Sequence, residues 1–197
     1  MKHVLSALIL AATAGLAAPA FAQTYKAVPN GPAESPPVAS PGFSLVTIDL
    51  NGSNLMVDMS FRDLTGTAVA AHIHCCTTDP FTGVAPVALP FDDFPTGVTG
   101  GAYSMSIPLY EEASYDPAFL KANGGTVKGA ASALVDGIVA NEAYVNIHTT
   151  AYPNGEIRGF LVAAPIPEPA EWAMLAAGLG GLLWTSRRRR WDTNWQK

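Results

Sequence analysis

The sequence predicts an all-β fold, an antiparallel β-sandwich with Greek-key connections and one or two short crossover helices. Three observations carry this. Short stretches alternate apolar and polar residues with period two, and Leu55, Val57, Met59 and Phe61 against Met56, Asp58, Ser60 and Arg62 form the cleanest of them. Such alternation is the mark of a half-buried strand. Gly- and Pro-rich turns separate the stretches, as at Asn51-Gly52 and Pro153-Asn-Gly155. Within the domain itself, only residues 117–122 and 126–139 carry helical signals, which leaves helices a minor part in a two-layer architecture.

The elements follow in order. Residues 1–22 read as a secretory signal peptide: a basic head at Lys2, an apolar run from Val4 to Leu16, and small residues at Ala20 and Ala22 ahead of a cut before Gln23. The run is too short to span a bilayer. Thr24–Val28 is a first strand, and Pro29–Val38 a stiff extended connection, because each proline fixes φ and removes a donor. Gly42–Leu50 is the second strand, joined through Asn51-Gly52 to the third. Ala68–Cys76 is a further β-prone run. Residues 77–97, rich in Pro, Gly and Asp, are a long ordered loop with a short strand near Val87. Thr99–Leu109 alternates again. Asp116-Pro117 caps and opens a helix of one or two turns that Gly124-Gly125 stops, and Thr126–Val139 suits a second. Ala143–Thr149 is a strand, and Glu156–Val162 closes the domain as one strand.

The domain thus occupies 23–163. Residues 164–169 are a Pro-rich hinge. Residues 170–190 read as a transmembrane helix ending in Arg187, Arg188, Arg189 and Arg190, and 191–197 as a short tail. Interfacial Trp172 and Trp184 suit the span, and the arginines favour the cytoplasmic side. The domain would then lie outside the inner membrane after export through the Sec route.

Charge excludes one class of partner. Between residues 23 and 168 there are five Lys and Arg against fourteen Asp and Glu, a net of −9. Nucleic-acid binding rests on neutralising phosphates, so no nucleic acid is expected. An acidic body suits a solvated extracellular protein or one that attracts cations.

The chemistry concentrates on three histidines. His72 and His74 are two apart in a strand and point to one face, with Ile73 opposed. His148 lies on another strand, with Tyr144 and Asn146 on its side. Two imidazoles from an H-x-H pair and a third from elsewhere make a three-nitrogen set suited to Cu(II), Zn(II) or Ni(II). The alternative is a hydrogen-bonded polar cluster of the histidines with Asn146, Thr149 and Glu156. The H-x-H pair on a sandwich strand is similar to the copper half of Cu/Zn superoxide dismutases, but the chain has too few histidines for a companion zinc site, and dismutase activity is not expected. Cys75 and Cys76 are adjacent. In an exported protein they are expected as a vicinal disulfide or as free thiols, with an intermolecular bridge or a metal-bound thiolate as the other options. Glu156 and Arg158, two apart, are expected on one face, paired with each other or with nearby polar groups. No nucleophile elbow or phosphate loop is present, and no catalytic residues are assigned.

Two stretches carry family resemblances. Pro167-Glu168-Pro169, the apolar helix and the Arg cluster resemble the PEP-CTERM sorting signal of Gram-negative bacteria, although here the chain continues past the cluster. The resemblance implies signal peptidase and exosortase as processing partners, transient anchoring in the inner membrane, and a cell-surface or extracellular-matrix destination alongside exopolysaccharide. Glu34-Ser-Pro-Pro-Val38, Ala71-His-Ile-His74, Tyr144-Val-Asn-Ile-His-Thr149 and Tyr152-Pro-Asn-Gly-Glu-Ile-Arg-Gly159 resemble, in order, the CHRD domain. Together these imply a non-enzymatic binding or matrix component. A metal-binding protein with a redox or metal-handling role is the alternative.

Overall fold

Among the described residues, nine strands form two antiparallel sheets. The computed structural model describes residues 23–165, together with Leu175 and residues 177–179. The expected signal peptide, the Pro167-Glu168-Pro169 motif, the arginine cluster and the tail lie outside these residues, as does the expected membrane span except at the four positions just named. Among the described residues, no helix is long and apolar enough to cross a membrane.

The strands are β1 (Gln23–Ala27), β2 (Phe43–Asn51), β3 (Asn54–Arg62), β4 (Ala68–His74), β5 (Val87–Pro90), β6 (Gly101–Pro108), β7 (Tyr144–Thr149), β8 (Ile157–Phe160) and β9 (Val162–Ala163). One sheet runs β6-β3-β2-β1-β9 and the other β5-β4-β7-β8. The expected all-β sandwich is therefore the architecture. The β2–β3 hairpin closes at Asn51↔Asn54, with Gly52 at φ +60°, a conformation that suits glycine. Leu55, Val57, Met59 and Phe61 face inward as the alternation requires.

The core lies between the sheets. Val46, Ile48, Leu55 and Val57 of the larger sheet belong to the same buried cluster as Ala71, Ile73, Val145, Ile147 and Ile157 of the smaller. Two helices, α1 (Pro117–Ala122) and α2 (Val127–Val139), fill the connection from β6 to β7. Asp116 caps α1 by accepting from Ala118 N and Phe119 N, and Thr126 caps α2 by accepting from Gly129 N. Leu134 and Ile138 of α2 are fully buried.

Three expectations need correction. The closing strand is two: β8 pairs with β7, then the chain passes the buried Leu161 and β9 pairs with β1 in the other sheet. The connection from Pro29 is not uniformly extended. Asn30 accepts from Ala33 N and caps a 3-10 turn over Gly31–Ala33, in which Pro32 supplies a preset φ. Finally, β4 ends at His74, before the Cys75-Cys76 pair that the β-prone run was expected to include.

Candidate metal centre

The pairing of β4 with β7 builds the site. Its register sets His72 opposite Asn146, His74 opposite Tyr144 and Ala70 opposite His148. The odd-numbered Ile73, Val145 and Ile147 fill the core, so the even positions share the face turned away from it. The two strands lie far apart in sequence, yet their histidines meet. Ring centroids are 5.0 Å apart for His72–His148 and 5.7 Å for both His72–His74 and His74–His148. One nitrogen from each ring can be chosen so that all three lie within 4.8 Å of one another.

Hydrogen bonds orient two of the rings. His74 Nδ1 lies 2.9 Å from the carbonyl of Ala85, and His148 Nδ1 lies 2.9 Å from that of Pro153. A carbonyl only accepts, so both Nδ1 atoms carry the proton and donate. In the neutral rings the Nε2 atoms then hold lone pairs. Those two Nε2 atoms, and Nδ1 of His72, are buried with no hydrogen-bond partner. Buried polar atoms are rarely left so. A carbonyl on the far nitrogen of a histidine is the usual support for a metal ligand. With metal–nitrogen bonds of about 2.0–2.1 Å, an ion shared by all three would draw the rings together by roughly an ångström.

Burial keeps the rings uncharged. It pushes His72 down to about 4, helped by repulsion from His148 and His74 against the pull of the Asp116 carboxylate. It likewise pushes His74 down to about 4, helped by His148 and Arg158 against the Ala85 carbonyl. Burial also lowers His148, against the Pro153 carbonyl. Neutral imidazoles at physiological pH are the form that binds metals.

The surroundings differ from the expected polar cluster in two respects. No nitrogen of His72, His74 or His148 bonds Asn146, Thr149 or Glu156. Alternation turns Thr149 away from His148, and its hydroxyl donates to Glu156 Oε2 at 2.6 Å. Glu156 also accepts from Ser40 Oγ, Thr65 N and Gly66 N. Burial raises its carboxyl, but these bonds outweigh burial and hold it below the usual range. Nor do Glu156 and Arg158 pair with each other. β8 begins at Ile157, so strand alternation does not reach Glu156.

Arg158 instead lies opposite Asn146 on the histidine face. Its Nε donates to Ala33 O and its Nη1 to Gly83 O. Its guanidinium sits 4.9 Å from the centre of the Tyr144 ring. Its carboxylate partner is Glu34, at 3.9 Å, which sequence reasoning placed only within a family motif. Burial raises the Glu34 carboxyl to about 7, against the pull of Arg158. A side chain at Gly155 would collide with Asn146 and with Glu34 Oε1, and its φ of +126° also requires glycine. The Pro-rich context of Glu34 was the only sequence signal for this acid. The carbonyls of Ala85 and Pro153 gave none.

Cys75 and Cys76 form a disulfide with each other, and no free cysteine is present. Neither sulfur is therefore a thiolate ligand here. Asp92 and Asp93 are exposed in the loop after β5.

Fold and site together define a β-sandwich carrying a three-imidazole site on the outer face of its smaller sheet. Residues 25–161 match the CHRD domain, most of the chain, and the protein belongs to the CHRD-domain family. No curated protein and no solved structure matches it.

Proposed function

We propose that this is an exported, surface-held binding protein whose CHRD domain captures one transition-metal ion, Cu or Zn, at His72, His74 and His148. The observation that carries the reading is the convergence of three buried imidazole nitrogens without hydrogen-bond partners, two of them on rings fixed through Nδ1 by backbone carbonyls. The acidic body supports it by drawing cations toward the domain. The role is binding rather than turnover. The address comes from the ends of the chain: a Sec signal cut by signal peptidase, anchoring in the inner membrane, and exosortase processing near Pro167-Glu168-Pro169. This delivers the domain to the cell surface or to a polysaccharide matrix.

Calorimetric titration of the full chain with Cu(II) and with Zn(II), and metal analysis of the product, test the site. One ion per chain is expected, with binding lost in the His72→Ala/His74→Ala variant. No heat at micromolar concentrations would overturn the metal reading. In cells lacking the exosortase, the protein is expected to stay uncleaved in the inner-membrane fraction. Unchanged release would overturn the sorting reading.

A further inference from the structure

We propose that the metal at His72, His74 and His148 keeps one coordination position open to a small monoanion from solution, and that the Arg158 guanidinium strengthens the anion's binding. This rests on the metal reading above. It adds the class of ligand the bound ion would take.

No further imidazole, thiolate or carboxylate donor closes the position. Among the described residues, the histidine group contains no fourth His, Cys, Asp or Glu. The nearby sulfurs are consumed in the Cys75–Cys76 disulfide. Glu156 is committed to Thr149, Ser40 and two backbone amides on the other side of β7. Glu34 stays with Arg158. His72 and His148 remain partly exposed, so their rings border solvent, although the three unpartnered nitrogens are themselves buried. Three protein ligands and an open fourth position are the arrangement of metals that bind exchangeable ligands.

Charge selects the ligand. A divalent ion on three neutral imidazoles keeps its full charge, since no carboxylate is among the ligands. Arg158 adds another positive charge one aromatic ring away. Its guanidinium faces Tyr144, and Tyr144 stacks on His74 with centroids 4.9 Å apart. The compensating carboxylate is only partial. Glu34 lies 3.9 Å from Arg158 Nε, and burial keeps a share of it protonated near neutrality. Asp116 sets a carboxylate toward His72, so the positive field at the open position comes from the ion itself and from Arg158 on the His74 side, and it favours an anion over a neutral donor. The exchange is a substitution in which the anion replaces water on the metal, with no change of oxidation state.

Azide is the probe. The full chain, loaded with one Cu(II) per molecule, is titrated with azide and followed by its charge-transfer absorption and by electron paramagnetic resonance. A saturable new band with an altered resonance spectrum is expected. Glu34→Gln removes the partial counter-charge and is expected to tighten azide binding. Arg158→Gln is expected to weaken it, by roughly tenfold for a unit charge about 10 Å away at intermediate dielectric. Both affinities are read only on protein carrying its copper. Copper-loaded protein whose spectra ignore azide would overturn the open position and leave the metal reading intact. Azide binding that Glu34→Gln leaves unchanged or weakens would overturn the electrostatic role. A chain that takes up no copper would overturn this inference and the metal reading together.

Discussion

The imidazole of His74 lies flat on the phenol ring of Tyr144, with centroids 4.9 Å apart and planes 2° from parallel. The β4–β7 register makes the two residues direct cross-strand neighbours. The same loop residue holds both. Ala85 O accepts from His74 Nδ1, and Ala85 N donates to the Tyr144 hydroxyl at 3.2 Å. Tyr144→Phe deletes the acceptor and leaves the Ala85 N–H without its partner. The expected cost is about 1–3 kcal/mol in urea unfolding. Tyr144→Ala also removes the stacking surface, and about 3–5 kcal/mol is expected. Because the loop carbonyl fixes the His74 ring, metal affinity in the alanine variant should fall by about 10–100-fold. An affinity unchanged by Tyr144→Ala would show that the stack does not position the ligand.

Acid should destabilise the metal-free domain earlier than carboxylate titration alone would. His72 and His74 sit at about 4 in the folded state, below the ordinary 6.5. Between those values the unfolded chain binds more protons than the folded one, so stability falls as pH drops through this window. Glu34 acts in the opposite sense. Its carboxyl stands at about 7 instead of 4.5, so the folded state holds the extra proton and acidification through that range favours folding. Two histidines outweigh one carboxyl where the windows overlap. Urea midpoints measured from neutral pH down to about pH 4.5 should therefore decline. Glu34→Gln, which deletes the opposing contribution, should make the decline steeper. A shallower decline in that variant would contradict the assignment.

The parts of this molecule legible in its sequence are those where one strand face meets water and the other meets the core. β3 announces itself through Leu55, Val57, Met59 and Phe61, and the H-x-H pair fixes a shared face for His72 and His74 by alternation alone. Helix α1 was readable from Asp116 and Pro117 because a cap and a preset φ are local chemistry. The sheet switch at Leu161 was not, since the apolar run over residues 160–164 holds no Gly or Pro at the point where the pairing partners change. Glu34 escaped for a different reason. Its burial against Arg158 depends on a contact 124 positions away, which no local pattern encodes. The supporting carbonyls of Ala85 and Pro153 are backbone groups, invisible to residue type.

Helix α2 meets the disulfide through a residue with no side chain. A Cβ added at Gly137 would collide with the sulfurs of both Cys75 and Cys76. Helix propensity favours alanine over glycine by about 1 kcal/mol, so Gly137→Ala at an exposed site would stabilise. Here overpacking should prevail, with a net loss of about 1–2 kcal/mol. The comparison that isolates the contact is the same substitution in a Cys75→Ala/Cys76→Ala background, where the loss should shrink or reverse. An equal loss in both backgrounds would mean that the sulfurs are not what the new methyl meets. Intact-mass measurement on the starting protein should find it two hydrogens lighter than the reduced chain.

Glu156 is fully buried and accepts four hydrogen bonds, from Ser40 Oγ at 2.5 Å, Thr65 N at 2.5 Å, Gly66 N at 3.1 Å and Thr149 Oγ1 at 2.6 Å. It ties the segment before β2, the turn between β3 and β4, and the end of β7 to one carboxylate. Glu156→Gln keeps the shape but presents an amide, whose two donors face groups that also donate. At least one backbone N–H then loses its acceptor. Hydrogen bonds to charged groups contribute about 1.5–3 kcal/mol each, so a loss of about 3–5 kcal/mol is expected from chemical denaturation. The carboxyl is held below its usual range, so its contribution is present above about pH 4.5 and is lost as pH falls through the lower folded value. The wild-type advantage over Glu156→Gln should therefore narrow in strong acid. Metal affinity, read on folded protein, should hardly move, because Glu156 lies on the opposite side of β7 from the three imidazoles. A large drop in metal affinity with stability preserved would instead make Glu156 part of the metal centre.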